Sequence, residues 1–226
     1  MTLCAIHQPN FFPWLGYFDK IKRADVFVFM DDVDYPRSGS GGMGSWSNRV
    51  KLDIQGNAQW FGCPVDKKTG KGLIKDVRIS RDANWREKAL RTLEMNYKKS
   101  AYFDAAIAVI KPLLMNPTES LSDFNTHAIQ VLATSLGVQT KFFWQSQLNT
   151  KTSSTDLLIE ICKAVGAEAY LAGGGAAGYQ EDEKFEAAGL KLVFQNYLPA
   201  PYGRDDVFIP GLSIIDYLMR EGVSEL

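Results

Sequence analysis

The chain has 226 residues, 46% hydrophobic and 23% charged, with a formal net charge of −1. That length and apolar content suit one generous domain with a buried core, and the near-zero charge supplies no field that would gather nucleic acid or an anionic membrane surface. No apolar run approaches the roughly 20 residues that span a bilayer. Three scattered cysteines, Cys4, Cys63 and Cys162, without CxxC spacing or a signal peptide, lead to the expectation of a reducing cytoplasm.

Residues 3–6 are a short apolar run, expected as a buried strand, that ends abruptly in His7-Gln8-Pro9-Asn10. Pro9 removes a backbone donor and Pro13 stops an early helix. From Trp14 the period changes: Leu15, Phe18, Ile21 and Lys22 fall at helical spacing, with Gly16 at the entry. Residues 26–30 are a second apolar run, closed by Asp31-Asp32. Strand, loop, helix and strand within about 30 residues make a βαβ unit. Ligands of such units sit at the carboxyl ends of the strands, and that edge here holds His7, Gln8, Asn10, Asp31 and Asp32.

Residues 36–47, rich in Gly and Ser, read as a loop, either a lid over the strand ends or plain surface. Residues 48–54 and 59–65 read as hairpin strands turned at Gly56-Asn57, and 73–79 as one more strand. Residues 84–148 read as mostly helical. Asn84 is the expected cap of the first helix, 103–114 the second, and Ser120 or Ser122 the cap of a third that stops at Gly137. The sheet resumes at 140–144. A second βα alternation follows: helix 153–165, strand 169–172 running into Gly173-Gly174-Gly175, helix 180–188 and strand 190–194. The expected fold is one three-layer α/β domain with a mainly parallel sheet. Its βαβ start covers 1–35, a hairpin and helical insertion 36–139, and a second βα half 140–226.

Several residues carry chemistry. A neutral imidazole both donates and accepts and changes charge near pH 7, so His7 at a strand end would serve as general base or phosphate contact; the plain alternative is a hydrogen bond to a loop carbonyl. Gln8 and Asn10 offer the paired donors and acceptors that sugars and nucleobases need, or they cap the loop. Asp31 and Asp32 would hold Mg²⁺ beside a triphosphate or act as base. Neighbouring strand side chains point to opposite faces, so one of the two is expected to face the site. Arg49, within the run Asn48 to Lys51, has a planar fork for phosphate or carboxylate, or a structural ion pair. The glycines 173–175 and 178, with Tyr179 after them, follow a strand and precede a helix, where backbone amides approach an anion; the alternative is a tight turn. His127, inside a helical pattern, reads as structural. No Ser-His-Asp order and no zinc-ligand spacing stand out.

Read together, AIHQPNFFPWLGYFDKI, DVFVFMDDVDY and SWSNRVKL, then LLIEICKAVGAEAYLAGGGAAGYQ, VFQNYLPAPYG and FIPGLSIIDYLMREG, resemble the WbqC-like family of bacterial proteins over nearly the whole chain. The resemblance implies a part in making O-antigen or another surface polysaccharide, among amino sugars, with glycyl or other acyl transfer to a sugar amine. A more remote likeness joins the first strand, its turn and the helix opening on WLGY to the HxGH region of nucleotidyltransferases and pantothenate synthetase. It implies a nucleotidyltransferase-like (HUP-like) sheet, with ATP and Mg as cofactors. Trp14 and Tyr17 replace the two histidines of that motif and Gly16 is kept, so Tyr17 takes a nucleotide-binding position and His7 would supply the missing donor. Thr152 to Leu158, TSSTDLL, resembles the second phosphate motif of those enzymes but precedes the Gly-rich strand.

The resemblance thus implies a cytoplasmic transferase or ligase that activates a small carboxylate with ATP and passes the acyl group to a nucleotide-linked amino sugar. His7, Asp31 and Asp32 would be catalytic. Gln8, Asn10, Tyr17, Asn48, Arg49, Gly173, Gly174, Gly175 and Tyr179 would bind substrate or nucleotide. Its partners would be a nucleotide sugar and an amino acid, with no nucleic acid and no membrane insertion. ATP-independent acyl or aminoacyl transfer, and a non-catalytic sugar-nucleotide binding protein of the same pathway, stay open.

Overall fold

The computed structural model describes residues 1–36, 45–81, 84–174, 181–203 and 208–223. The opening stretch folds as the βαβ unit that its change of period predicts: β1 (Leu3–His7), α1 (Leu15–Arg23) and β2 (Val26–Phe29). An inserted hairpin, β3 (Arg49–Ile54) and β4 (Asn57–Gly62), leads into three helices, α2 (Trp85–Tyr97), α3 (Phe103–Leu114) and α4 (Leu121–Ser135). The chain then re-enters the sheet with β5 (Lys141–Trp144), α5 (Ser154–Ala164), β6 (Ala169–Ala172), α6 (Asp182–Ala187) and β7 (Lys191–Phe194), and ends in α7 (Ile214–Glu221).

Five parallel strands form one sheet in the order β5-β2-β1-β6-β7, and the hairpin is a separate antiparallel pair. Side chains alternate across the strands, and each face meets its own layer. Ala5, Phe27, Phe29 and Leu171 join the core that holds Tyr17, Phe18 and Ile21 of α1, Phe124 of α4 and Ile215 of α7. Cys4, Ile6, Val26, Val28 and Tyr170 pack with Leu157, Ile161 and Cys162 of α5 and Phe185 of α6. The fold is therefore the helix–sheet–helix α/β arrangement expected. The insertion extends the first core, with Val50, Leu52 and Phe61 of the hairpin turned into it. Among the described residues no helix is long and apolar enough to cross a membrane.

Two local readings change, and one helix is added. Residues 73–79 do not form a strand. Ile74–Asp76 is a single 3₁₀ turn, because Ile74 and Val77 are buried while the backbone bonds of the segment go to scattered partners: Ile74 N to Val33 O at 2.9 Å and Ile79 N to Glu119 O at 2.7 Å. Asn84 precedes α2 without a side-chain capping bond, whereas Ser120 caps α4 by accepting from Asp123 N at 3.2 Å. Helix α7, on which the sequence reading was silent, starts at Ser213, whose Oγ accepts from Ile215 N at 3.2 Å and donates to Phe12 O at 2.6 Å.

The strand order also fixes where a ligand would go. The chain steps outward from β1 to β2 to β5, then crosses to the other side of β1 for β6 and β7. The winding reverses between β1 and β6, and at such a switch point the flanking loops part and leave a crevice at the carboxyl ends. His7 ends β1 there, and Gly173 follows β6.

Candidate functional site

The crevice is a cleft of about 820 Å³. Its floor comes from the β1 end and α1: His7, Gln8, Asn10, Trp14, Tyr17 and Lys20. One wall is the hairpin side, with Trp46, Arg49, Lys51 and Trp60; the other brings Gly173, Gly174, Gln195, Asn196 and Tyr197. No acidic side chain lines it among the described residues.

The loop after β1 is held from several sides. The carbonyl of Gln8 accepts from Tyr17 OH at 2.9 Å and from His7 Nδ1 at 3.1 Å. On α4 the buried Asn125 donates through Nδ2 to Pro9 O at 2.9 Å and to Ser47 O at 2.7 Å, clasping two cleft-lining loops together. Phe12 takes a φ of 38°, a conformation a bulky residue adopts only when its surroundings impose it. Its buried ring and the Ser213 bond to its carbonyl do so.

A carbonyl can only accept, so the His7 proton sits on Nδ1 and Nε2 keeps its lone pair. The ring lies 4.7 Å from Tyr17 and 5.9 Å from Trp14, centroid to centroid. Burial, then the nearby charge of Lys20, pull its pKa from 6.5 down to about 4, against the opposing effect of the Gln8 bond. His7 is therefore a neutral imidazole at pH 7 with an unprotonated Nε2, the state required of a general base.

Lys20 is 4% exposed, on the same helical stripe as Tyr17. Its Nζ donates to Ile6 O at 2.9 Å and lies 5.7 Å from the Tyr170 ring centroid. Among the described residues no carboxylate pairs with it. Burial lowers its pKa from 10.5 to about 8, which still leaves it cationic at neutral pH. A Cβ on Gly173 would stand 3.6 Å from this ammonium, so the glycine backbone passes close to the charge. A buried cation without an acid, beside a glycine backbone, is an arrangement that an anion completes.

Two glycines make the walls fit. A Cβ on Gly16 would stand 2.7 Å from the Tyr197 ring, so only glycine lets that ring lie against α1. Gln195 ties the end of β7 to the same helix, its Nε2 donating to Gly16 O at 2.7 Å and to Asp19 Oδ2 at 2.8 Å. On the hairpin, Lys51 faces Trp60 in register and Arg49 faces Gly62. A Cβ on Gly62 would lie 2.6 Å from the Arg49 Cβ; its absence makes room for the Arg49 guanidinium to lean diagonally over Trp60, 4.0 Å from the ring centroid.

The structure thus brings together His7, Gln8, Asn10, Tyr17, Arg49, Gly173 and Gly174. It leaves three others out of the cleft. Asp31 is 3% exposed and accepts from Ser146 N at 2.9 Å and Ser146 Oγ at 2.7 Å. Asp32 pairs with Lys75 at 2.6 Å. Strand β2 ends at Phe29, before the two acids, so the opposite-faces argument does not reach them. Asn48 spends its side chain on Tyr35 OH (2.8 Å), Ser45 N (2.8 Å) and Cys63 O (3.0 Å). Gly175, Tyr179 and most of the 36–47 loop lie outside the described residues, and His127 is exposed on α4. Among the described residues no group of three His, Cys, Asp or Glu side chains stands together as a metal cage.

Sequence reasoning missed Lys20, Trp46, Trp60, Gln195 and Tyr197. The signal for Lys20 was present: it stands three residues after Tyr17 on a stripe that should be apolar, whereas Lys22, assigned to that stripe, is exposed.

The sequence model of the WbqC-like protein family matches residues 8–226. The chain is also similar to the uncharacterized protein Rv1507c of Mycobacterium tuberculosis, 27% identical over 231 residues that cover 98% of this chain and 95% of that one. No solved structure matches it significantly. The family match spans nearly every element described above, and on that ground the chain belongs to the WbqC-like protein family.

Proposed function

We propose that the cleft binds a nucleotide-linked amino sugar and that the protein transfers an acyl or aminoacyl group to the sugar amine, in the making of a bacterial surface polysaccharide. One observation carries this reading: a neutral imidazole with a free Nε2 and a buried, acid-free lysine share the cleft at the switch point of the sheet. Lys20 and the amides of Gly173 and Gly174 hold the diphosphate. Gln8 and Asn10 line the floor and address the sugar hydroxyls.

In the transfer, the sugar amine attacks the carbonyl carbon of an activated acyl donor, an acyl phosphate anhydride or a thioester. The N–C bond forms, the bond to the leaving phosphate or thiolate breaks, and the amine proton passes to His7 Nε2. The same burial that keeps His7 neutral weakens it as a base, and the imidazolium, once formed, gives up its proton readily.

The test is calorimetric titration with UDP- and dTDP-amino sugars, followed by mass spectrometry of the product with glycine and ATP, or with a glycyl thioester. Binding should survive His7→Gln while transfer falls about 10²- to 10⁴-fold. No binding of any nucleotide sugar, or transfer by His7→Gln at the parental rate, overturns the reading. AMP or pyrophosphate released with glycine would show that the protein makes its own donor.

A further inference from the structure

Resting on that reading of the cleft, we propose that its hairpin wall is a subsite for the nucleobase, and that it accepts any base. Aromatic rings run in an unbroken row from the floor to the rim: His7 to Trp14 at 5.9 Å, Trp14 to Trp46 at 5.6 Å, Trp46 to Trp60 at 5.3 Å. The last two leave 41% and 43% of their surface to solvent although both line the cleft. Two cations attend the outermost ring, Arg49 at 4.0 Å and Lys51 at 5.3 Å from the Trp60 centroid, and neither has an acidic partner among the described residues.

A nucleotide sugar fits this order of groups. Its anionic centre lies between Lys20 and the Arg49–Lys51 pair, its sugar reaches the amide-bearing floor beside His7, and its base reaches the exposed indoles. A neutral glycan would also stack on the tryptophans but would gain nothing from three cations unmatched by an acid in the lining. Stacking on an indole uses the π-face that every base has, so this wall gives affinity without choosing the base. Among the described residues the hairpin rim offers Trp46, Trp60, Arg49 and Lys51, while the amide side chains of the cleft, Gln8, Asn10, Gln195 and Asn196, stand on the floor and the opposite wall.

Binding of three probes to the parent protein, Trp60→Ala and Trp60→Phe tests the subsite: UDP-glucosamine, UMP, and glucosamine 1-phosphate, which has no base. Trp60→Ala should weaken UDP-glucosamine and UMP about 10- to 100-fold, leave glucosamine 1-phosphate within about twofold, and be largely rescued by Trp60→Phe. Exchange of uracil for guanine or thymine should change affinity for the parent less than about fivefold, in keeping with stacking alone. UDP-glucosamine that binds the parent and Trp60→Ala equally would overturn the subsite and leave the proposed function standing. UMP that depends on Trp60 while no amino sugar is ever acylated would do the reverse. Equal loss of all three probes in Trp60→Ala would mark a sugar track or a damaged fold, and would also overturn the subsite.

Discussion

Lys20→Met removes a buried charge and keeps an unbranched side chain of similar length. Burial lowers the Lys20 pKa from 10.5 to about 8. At 1.36 kcal/mol per pH unit, that places a cost of about 3 kcal/mol on the folded ammonium at neutral pH. Losing the N–H bond to Ile6 O costs about 1 kcal/mol. The variant should therefore be more stable than the parent at pH 7 by about 2 kcal/mol, the difference of those two figures. The sign reverses in base. Because the folded pKa lies below the unfolded one, the unfolded chain binds more protons between pH 8 and 10.5, and the parent gains stability with rising pH across that window. The variant lacks that gain, so above pH 10.5 it should fall below the parent by about 1 kcal/mol. Urea unfolding of both proteins followed by tryptophan fluorescence at pH 7 and pH 11 measures the crossing, and other groups that titrate there are common to both. At pH 7 the same variant should bind a nucleotide sugar about 10- to 100-fold more weakly, the loss of one charge-assisted contact. A variant less stable than the parent at both pH values would show that Lys20 is there to hold the fold, and the reasoning would be refuted.

His7 is neutral down to about pH 4, so the transfer rate should be flat from pH 8 to 5 on its account; a kcat/KM profile falling with a midpoint near 6.5 contradicts this. The depressed pKa also means that the parent loses stability as pH falls from 6.5 towards 4, a loss that His7→Gln should not show in acid unfolding curves. Asp31→Asn should destabilise by about 1–3 kcal/mol, because the bonds to Ser146 are compromised, while nucleotide-sugar affinity stays within about twofold; a tenfold loss of affinity would return Asp31 to the site. Asn125→Ala takes the donor from Pro9 O and Ser47 O and should cost about 2–4 kcal/mol in urea unfolding while loosening both cleft loops, read as faster amide exchange near Asn10 and Trp46.

The parts of the fold set by local pattern were legible in the sequence. The switch from a four-residue apolar run to helical spacing at Trp14 gave β1 and α1. The glycines after 172 marked a strand end, and joining that end to His7 needed only the rule for switch points. What was not legible depended on which elements become neighbours. Lys20 resembles any lysine on an amphipathic helix until β6 places Tyr170 and Gly173 beside it. Trp60 reads as a rim residue of a hairpin until Arg49, freed by Gly62, lies across it. Asp31 and Asp32 misled because adjacent acids after a strand look alike whether they face a ligand or, as here, a backbone amide and a lysine. The 73–79 run misled because burial of Ile74 and Val77 imitates a strand while the backbone bonds go elsewhere.

In the proposed function one crevice between β1 and β6 holds both the anion and the reacting amine. A crystal structure with UDP-glucosamine tests it most directly. A diphosphate oxygen should lie about 3 Å from Lys20 Nζ and the sugar nitrogen within hydrogen-bond reach of His7 Nε2. A nucleotide sugar seated instead in the 740 Å³ groove beside Leu15, Tyr202 and Tyr217, with Lys20 untouched, would contradict it.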